Sequence, residues 1–222
     1  MASFRKLHIS KYLPILFLIP SIILNFVLLY QARLSSNSGV VVIGVIDGDT
    51  VVLEGKSRVR LRYVDAPEKG LCGYDQATRE LENLVMGKSV RIEETIPDTY
   101  GRGMALVYVG STLINKEMLA SGWVRYHHDN SAVTEEVKAA SDLARQEKRG
   151  IYGACQSTTN SKNPKCLIKG NIDKSTDTHL YYISGCAQYA FTIVEEDIGE
   201  QWFCTEKEAL AAGFTRAATC KY

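Results

Sequence analysis

The sequence has almost no net charge, because its 26 lysines and arginines are balanced by 25 aspartates and glutamates. The first 31 residues contain no acidic side chain and three basic ones, so the rest of the chain carries 26 − 3 = 23 basic against 25 acidic residues. Proteins that hold nucleic acid by releasing many counterions are usually strongly basic. The balance therefore disfavours a tight, scaffold-type nucleic-acid binder and still allows local contacts with a few phosphates.

Internal repeats and zinc-type histidine spacings are also lacking. No segment of the 222 residues repeats another, and His127 and His128 do not stand at the spacing of a zinc motif. The composition, with 45% apolar and 23% charged residues, is not that of a disordered protein. A chain of this length is sufficient for one globular domain and a smaller appendage.

A long run without charged residues lies near the N-terminus, at residues 12–30, and basic residues precede it. A helix needs roughly 20 apolar residues to cross a bilayer, and this run just reaches that length. Because the preceding residues are basic, the positive-inside rule places residues 1–11 in the cytoplasm and the rest of the chain outside. The sequence predicts an uncleaved transmembrane signal anchor at residues 12–31. The alternative is a cleaved signal peptide and a secreted protein, but Tyr30 does not suit a cleavage site.

Composition divides the remaining chain into four segments. Residues 32–39 are small and polar and are typical of a flexible tether. Residues 40–153 alternate between strand and helix patterns and form the main predicted domain. Residues 154–165, rich in serine, threonine, asparagine and lysine, read as a second linker. Residues 166–222 form a small cysteine-containing module with short strand patterns and one short helix.

The main domain shows five strand patterns and about three helix patterns. The strands are predicted at 40–46, 50–53, 59–64, 90–94 and 104–109, and the helices at 75–86, 113–120 and 134–149. Five strands with intervening helices are typical of an OB-type barrel. The predicted fold class is therefore α+β: a five-stranded OB-fold barrel with about three helices, preceded by one transmembrane helix and followed by a small α/β tail module.

Acidic and basic side chains surround the third predicted strand. Its alternation places Arg58, Arg60 and Arg62 on one basic face. Asp49 follows a turn before the strand, and Asp65 ends it. Carboxylate oxygens without histidine or cysteine favour a hard cation such as Ca²⁺ or Mg²⁺. Taken singly, residues 47–50 are explained by an ordinary hairpin turn, and Arg60 is explained by a solvated strand face.

Three segments, taken together and in order, resemble a known signature. They are residues 45–51 (VIDGDTV), 60–68 (RLRYVDAPE) and 98–103 (DTYGRG). In this order and strand context they resemble the staphylococcal nuclease (thermonuclease) family, over roughly residues 40–153. The tail resembles a small cysteine-containing module that follows such domains in secreted bacterial relatives.

The resemblance implies a role for each matching residue. Asp49 and Asp65 would supply carboxylate oxygens to Ca²⁺, and Ala66 would supply its backbone carbonyl. The family often has threonine at the last position, and alanine keeps the same carbonyl. Glu68 would orient or deprotonate the attacking water. The remaining catalytic residues implied by the resemblance, which would grip the phosphate, are Arg60 and Arg102.

The resemblance also implies an activity, a calcium-dependent hydrolysis of DNA and RNA that leaves 3′-phosphates and has little base specificity. Tyr100 and Tyr126 are candidates to stack on a base or sugar, with a core or surface role as the alternative. Apart from its nucleic-acid substrates and the membrane, no obligate protein partner is evident, and a monomer is expected. The competing interpretations are a catalytically silent OB-type binding module and a structural protein of the envelope. The complete set of acids and arginines favours the enzyme.

The six cysteines are an even number, which outside the cytoplasm favours disulfides. They are Cys72, Cys155, Cys166, Cys186, Cys204 and Cys220. Fifteen connectivities are open. We hypothesise that Cys155 pairs with Cys166 across the polar linker and that Cys186 pairs with Cys204, which leaves Cys72 and Cys220 as a third bridge. A zinc site that uses His179 and three of the tail cysteines is the alternative.

Overall fold

The computed structural model describes residues 20–29, 39–98 and 101–220. Its contacts separate a unit that ends at Gly39 from a second unit, Val40–Tyr222. Residues 20–29 form helix α1. Of the helices in these three described ranges, none combines the length and the apolar character needed to cross a bilayer. The predicted anchor extends over 12–31, and its residues 12–19 and 30–31 lie outside the described residues.

Five strands of the second unit form a closed circuit. The strands of this region are β1 (Val40–Val45), β2 (Thr50–Leu53), β3 (Arg58–Leu61), β4 (Val64–Asp65), β5 (Ser89–Pro97), β6 (Gly103–Val109), β7 (Thr112–Leu113) and β8 (Arg125–Tyr126). The sheet runs in the order β3-β2-β1-β5-β6-β7, and a parallel pairing of β3 with β6 closes it into a barrel. The alternating residues Val51, Val59 and Leu61 point into the core.

Helices cover the barrel close to the predicted positions. They are α2 (Tyr74–Val85), α3 (Ile114–Ser121), α4 (Thr134–Gln146) and the short α5 (Ile151–Ala154). Helix α2 buries Ala77, Leu81 and Val85, which recur every four residues and so share one face. Helix α3 buries Ile114, Met118 and Leu119 against the same core. The region is thus a mixed α+β domain with one main sheet and few helices.

The third strand is shorter than predicted, and the prediction of one basic face is wrong for Arg62. The strand ends at Leu61, and Tyr63 adopts a left-handed backbone conformation with φ of 67°. Because the alternation ends there, Arg62 turns inward and its side chain is only 4% exposed. Its Nε donates to Asp129 Oδ2 at 2.6 Å, and its Nη1 donates to Glu94 Oε2 at 3.0 Å. A buried guanidinium requires such carboxylates, because an unpaired charge is costly to desolvate.

The tail forms its own small sheet. Its elements are β9 (Gln156–Ser157), β10 (Ile168–Asp173), β11 (Thr178–Tyr182), β12 (Val194–Glu195), β13 (Trp202–Phe203), α6 (Glu206–Ala211) and β14 (Thr215–Arg216). The order of the larger sheet is β13-β10-β11-β14, and it packs on a core of Tyr181, Phe203, Ala209 and Phe214. The antiparallel pair β9 and β12 joins the tail to the chain that leaves α5. The boundary between 40–153 and 166–222 stays a prediction, and both segments lie in the second unit.

All six cysteines form disulfides, as predicted, but the three predicted pairings are wrong. The bridges are Cys72–Cys155, Cys166–Cys204 and Cys186–Cys220. The tertiary structure selects these partners, whereas the prediction used spacing along the chain. Strands β10 and β13 pair with Ile168 opposite Phe203, which brings the flanking cysteines 166 and 204 together. The three cysteines of the alternative zinc site are all in disulfides.

The bridge Cys72–Cys155 should contribute most to stability, because it closes the longest loop, with a separation of 83 residues. In the chain-entropy picture its loss costs about 2–5 kcal/mol. The double variant Cys72→Ser/Cys155→Ser should lower the free energy of unfolding of the oxidised protein by that amount, which is measured as a lower denaturation midpoint. The matched control is Cys186→Ser/Cys220→Ser, which removes a separation of 34 residues and should cost less. Equal midpoints for the first variant and the parent would contradict the prediction.

Candidate active site

A tight turn between β1 and β2 positions Asp49. Ile46 N donates to Thr50 O at 2.9 Å across the turn. A Cβ added at Gly48 would lie 2.4 Å from the Cβ of Ala77 and 2.9 Å from that of Ala66. Only glycine fits this close approach, so the turn packs directly on α2 and on the segment after β4. The glycine therefore has a packing role beyond that of an ordinary hairpin turn.

The Asp49 carboxylate is 6% exposed and is held from two sides. Its Oδ1 accepts from the Thr50 hydroxyl at 2.7 Å, and its Oδ2 accepts from Ala66 N at 3.3 Å. Burial, with the nearby charge of Asp47 adding to it, raises the pKa of Asp49 to about 6. A cation placed beside this carboxylate would favour its ionised form and so oppose the effect of burial.

Arg60 joins the two aspartates that the sequence singled out. Its Nη2 lies 3.0 Å from Asp49 Oδ2 and 2.8 Å from Asp65 Oδ1. The ladder of β2 and β3 sets this arrangement, since Thr50 is opposite Arg60. The Nε of the same arginine is buried and has no hydrogen-bond partner among residues 39–98 and 101–220. The guanidinium thus retains an unused donor next to both carboxylates.

The donor set suits a hard cation. Asp49 and Asp65 offer carboxylate oxygens on the two sides of Arg60 Nη2, and Ala66 follows Asp65 with a backbone carbonyl. None of these ligands is nitrogen or sulfur. In the part of the chain that the structure describes, no three acidic, histidine or cysteine side chains cluster as a metal-binding group. Ca²⁺ takes about 6–8 oxygen ligands. The residues fit the ion when water or substrate oxygens complete the set.

Glu68 stands on the segment between β4 and α2, at a small cavity of about 210 Å³. The cavity is lined by Asp65, Ala66, Pro67, Glu68, Leu71, Arg125, Asp197 and Ile198. Since a water molecule occupies roughly 30 Å³, several waters fit there. Glu68 is exposed and shares this water-accessible space with Asp65. This is the placement that a residue acting on a water molecule requires.

Arg102 lies at the end of the hairpin loop between β5 and β6. Its Nε donates to Asp98 Oδ2 at 2.6 Å, and its backbone N donates to Asp98 Oδ1 at 2.7 Å. The side chain is 40% exposed. Because Arg60 pairs with Met104 in the β3–β6 ladder, the loop stands beside the strand that carries Arg60. Tyr100, the other predicted residue of this loop, lies outside the described residues.

Tyr126 stands next to the site but packs inward. It pairs with Val64 in the β4–β8 ladder. Its ring stacks on Tyr63, with 6.1 Å between centroids. Burial raises the pKa of the Tyr126 hydroxyl, which makes no hydrogen bond among the described residues. The packing on Tyr63 favours the core role that was left open as the alternative to base stacking, and stacking on substrate stays a prediction.

Arg125 is a residue of the site that the sequence did not single out. It is opposite Asp65 in the β4–β8 ladder. Its Nε donates to Asp197 Oδ2 at 2.6 Å, and its Nη2 lies 3.2 Å from Glu195 Oε2. These carboxylates belong to the tail, more than 60 residues further along the chain. The only local signal was a basic residue next to the buried Val124, and neither acidic partner is recognisable from the sequence.

Comparisons with known proteins point to one group. Residues 58–154 match the family described as "Staphylococcal nuclease homologue". An uncharacterized endonuclease of Escherichia coli O157:H7 is 34% identical over 117 residues, which are 50% of this chain and 74% of that protein. An uncharacterized endonuclease of Haemophilus influenzae is 35% identical over 120 residues, 50% of this chain and 67% of its own. A micrococcal nuclease of Shigella flexneri is 30% identical over 125 residues, 50% and 71% respectively.

Proposed function

Since the chain belongs to the staphylococcal nuclease family and is a nuclease, we propose that it hydrolyses DNA and RNA in a calcium-dependent reaction that leaves 3′-phosphates and reads the bases little. The observation that carries this proposal is the bridge from Arg60 to Asp49 and Asp65, next to the cavity that holds Glu68. A binding module without catalysis has no need for a buried aspartate, a shared guanidinium and an exposed glutamate at one water-accessible cavity.

The chemistry assigns a task to each of these groups. Attack of water on a phosphodiester builds negative charge on the oxygens around phosphorus, and fixed cations must meet that charge. Arg60 and Arg102 suit this role because a planar guanidinium matches two phosphate oxygens at once. Glu68 orients the attacking water and takes its proton, since it faces the space where that water would lie. Ala66 contributes only its backbone carbonyl, which is a ligand for the metal.

Asp49, Asp65 and the carbonyl of Ala66 are the residues that would hold Ca²⁺. When bound, the ion supplies further positive charge for the phosphate. The buried position of Asp49 supports this assignment, because a bound cation would offset the desolvation of its carboxylate and the repulsion from Asp47. Oxygen-only ligation supports calcium over zinc.

The remaining features of the proposal concern the setting of the enzyme. The strand circuit β1-β2-β3-β6-β5 supports an OB-type barrel as the scaffold. We further propose an anchor at residues 12–31 with the catalytic domain outside the cytoplasm, and a monomeric enzyme. Three disulfides support the extracytoplasmic location, because such bridges persist in oxidising compartments.

The test is cleavage of single-stranded and double-stranded DNA and of RNA by the full chain, with Ca²⁺, with Mg²⁺ and with a chelator. Cleavage with Ca²⁺ that a chelator abolishes is the expected result, and the product ends should carry 3′-phosphates. Binding of these polymers without cleavage under any metal would instead support the silent binding module. If the chain neither binds nor cleaves these polymers, the remaining alternative is a structural role in the envelope.

Asp49→Asn should raise the calcium concentration needed for half-maximal activity. The substitution removes one charge from the ligand set and keeps the shape of the side chain, so metal binding weakens while the turn at Gly48 stays in place. We expect an increase of roughly tenfold or more, since a lost charged interaction of about 1.4 kcal/mol is tenfold in an equilibrium constant. The measurement is a calcium titration of initial rates. Superimposable titrations of variant and parent would remove Asp49 from the ligand set.

A further inference from the structure

A larger cavity, of about 540 Å³, lies between the C-terminal end of α4, helix α5 and the tail. Its charged lining consists of four basic residues and one acidic residue, which are Arg125, Arg145, Lys148, Lys174 and Glu195. By contrast, the cavity of about 650 Å³ near Cys166 has one lysine and two glutamates in its lining. In a chain with a net charge of only +1, this basic cavity is a local concentration of positive charge.

Two of the four cations of the basic cavity take no part in the ion pairs of the described residues. Arg145 and Lys148 are exposed and form no ion pair within the described part of the chain. The guanidinium of Arg145 lies 5.2 Å from the centre of the Tyr152 ring, which holds it at the wall. Lys174 is 2.5 Å from Glu195 and therefore serves the tail itself. An anionic ligand would find two available charges, one of them preorganised.

The wall also carries neutral hydrogen-bond donors. Thr158 and Thr159 are exposed and line the cavity just after β9. Tyr152 lines it as well, although its hydroxyl is buried and makes no hydrogen bond among residues 39–98 and 101–220. Hydroxyl groups together with arginine and lysine are the usual partners of phosphate and sugar oxygens in complexes with nucleic acids. Such contacts to phosphates and sugars do not require side chains that recognise the bases.

The basic cavity adjoins the small cavity that Glu68 lines. Arg125 lines both of them. It is opposite Asp65 on the catalytic side, and its Nε is bonded to Asp197 of the tail at 2.6 Å. A polymer whose reacting phosphate lies near Glu68 can therefore continue past Arg125 into the basic cavity. The volume lies within the roughly 300–1,000 Å³ typical of ligand sites.

We propose that the basic cavity binds the phosphodiester backbone of the substrate strand beside the scissile phosphate, so that the tail forms part of the substrate-binding surface. Arg145 and Lys148 neutralise phosphates, and the threonine hydroxyls bond phosphate or sugar oxygens. This inference rests on the proposed function, because it assumes that the substrate is a polynucleotide. It assigns to the tail a binding role that depends on strand length.

The test measures binding of two single-stranded DNA ligands to the full chain that also carries Glu68→Gln, which prevents cleavage. One ligand has about 20 nucleotides, more than the roughly 4–16 that an OB fold covers, and the other is a dinucleotide. The cavity variant is Arg145→Gln/Lys148→Gln. The matched control, Lys165→Gln/Lys207→Gln, removes the same charge from exposed positions, one at the end of the linker and one in the tail, that do not line the cavity.

For the long strand, the cavity variant should bind roughly tenfold more weakly near 0.1 M salt. Its slope of log affinity against log salt should be shallower by about 1.4, or 0.7 for each lost phosphate contact. The control should change affinity less than about twofold, and the dinucleotide should bind equally to all variants. An equal loss in the control, an equal loss for the dinucleotide, or no loss for the long strand would each overturn the inference. Failure of the parent chain to cleave any polynucleotide would instead refute the proposed function, so the two failures are distinguishable.

Discussion

Glu68→Gln should reduce kcat by about 10²–10⁴-fold, which is the range that a positioned general base contributes. The amide keeps the size of the side chain and can still orient a water, but it cannot take the proton. Because Glu68 is exposed at its cavity and belongs to no core cluster, the unfolding midpoint should not move. The measurement is the initial rate on DNA at saturating calcium, together with a thermal unfolding curve for each protein.

The control is Glu54→Gln, an exposed carboxylate at the turn after β2 that lines neither cavity near Arg125. It removes the same charge and should retain the parental rate. A Glu68→Gln enzyme with the parental kcat would refute the assignment of the base. A reduced rate together with a lowered unfolding midpoint would show that Glu68 acts on the structure and not on the water.

Much of the barrel follows from local sequence. Period-2 alternation and β-branched residues gave β2 correctly, and β1 and β6 to within a residue at either end. The turn at Asp47 and Asp49 was likewise visible, because aspartate and glycine favour turns. These features depend on residues that are close along the chain. The sequence alone did not show why position 48 is glycine, since the neighbour that excludes a side chain belongs to α2.

The features that could not be predicted depend on distant partners. Arg62 was placed on one basic face with Arg58 and Arg60 because its partners Glu94 and Asp129 lie 32 and 67 residues away and become neighbours only in the folded chain. Arg125 was overlooked for the same reason, since Asp197 is 72 residues further on. Disulfide pairing is also decided by the packing of strands and helices. Spacing along the chain favours short loops and carries no information on which strands are neighbours.

The site shows the same division. Arg60 contacts both Asp49 and Asp65, because two strands that follow each other along the chain and one turn carry all three residues. The tail side of the site had no motif of its own. The tail contributes the buried Asp197 together with Lys174, whereas Arg145 and Lys148 come from the end of α4 and the residues just after it. A short motif describes residues held by a local scaffold, whereas a surface assembled from two segments of the chain requires the fold.

Arg102→Ala should reduce kcat by roughly 10²–10³-fold, the loss typical of removing one group that stabilises charge in a transition state. The substrate carries one charge on the phosphodiester before attack and more during it. An arginine that meets the added charge therefore affects kcat more than the KM. Asp98 fixes the direction of this side chain by accepting a hydrogen bond from Nε, and the side chain is 40% exposed, so a phosphate can approach it.

Arg102→Lys separates charge from geometry at this position. Lysine restores the positive charge but not the planar fork, so it should recover only part of the lost rate. The control, Arg79→Ala, removes an exposed arginine from α2 and should leave kcat and KM at the parental values. The hydrogen bond from the backbone N–H of residue 102 to Asp98 Oδ1 does not depend on the side chain at position 102. The loop should therefore stay folded in both variants, and unfolding curves test this. If Arg102→Ala raised KM with an unchanged kcat, the side chain would bind the ground state and the transition state equally. It would then belong to substrate binding and not to catalysis.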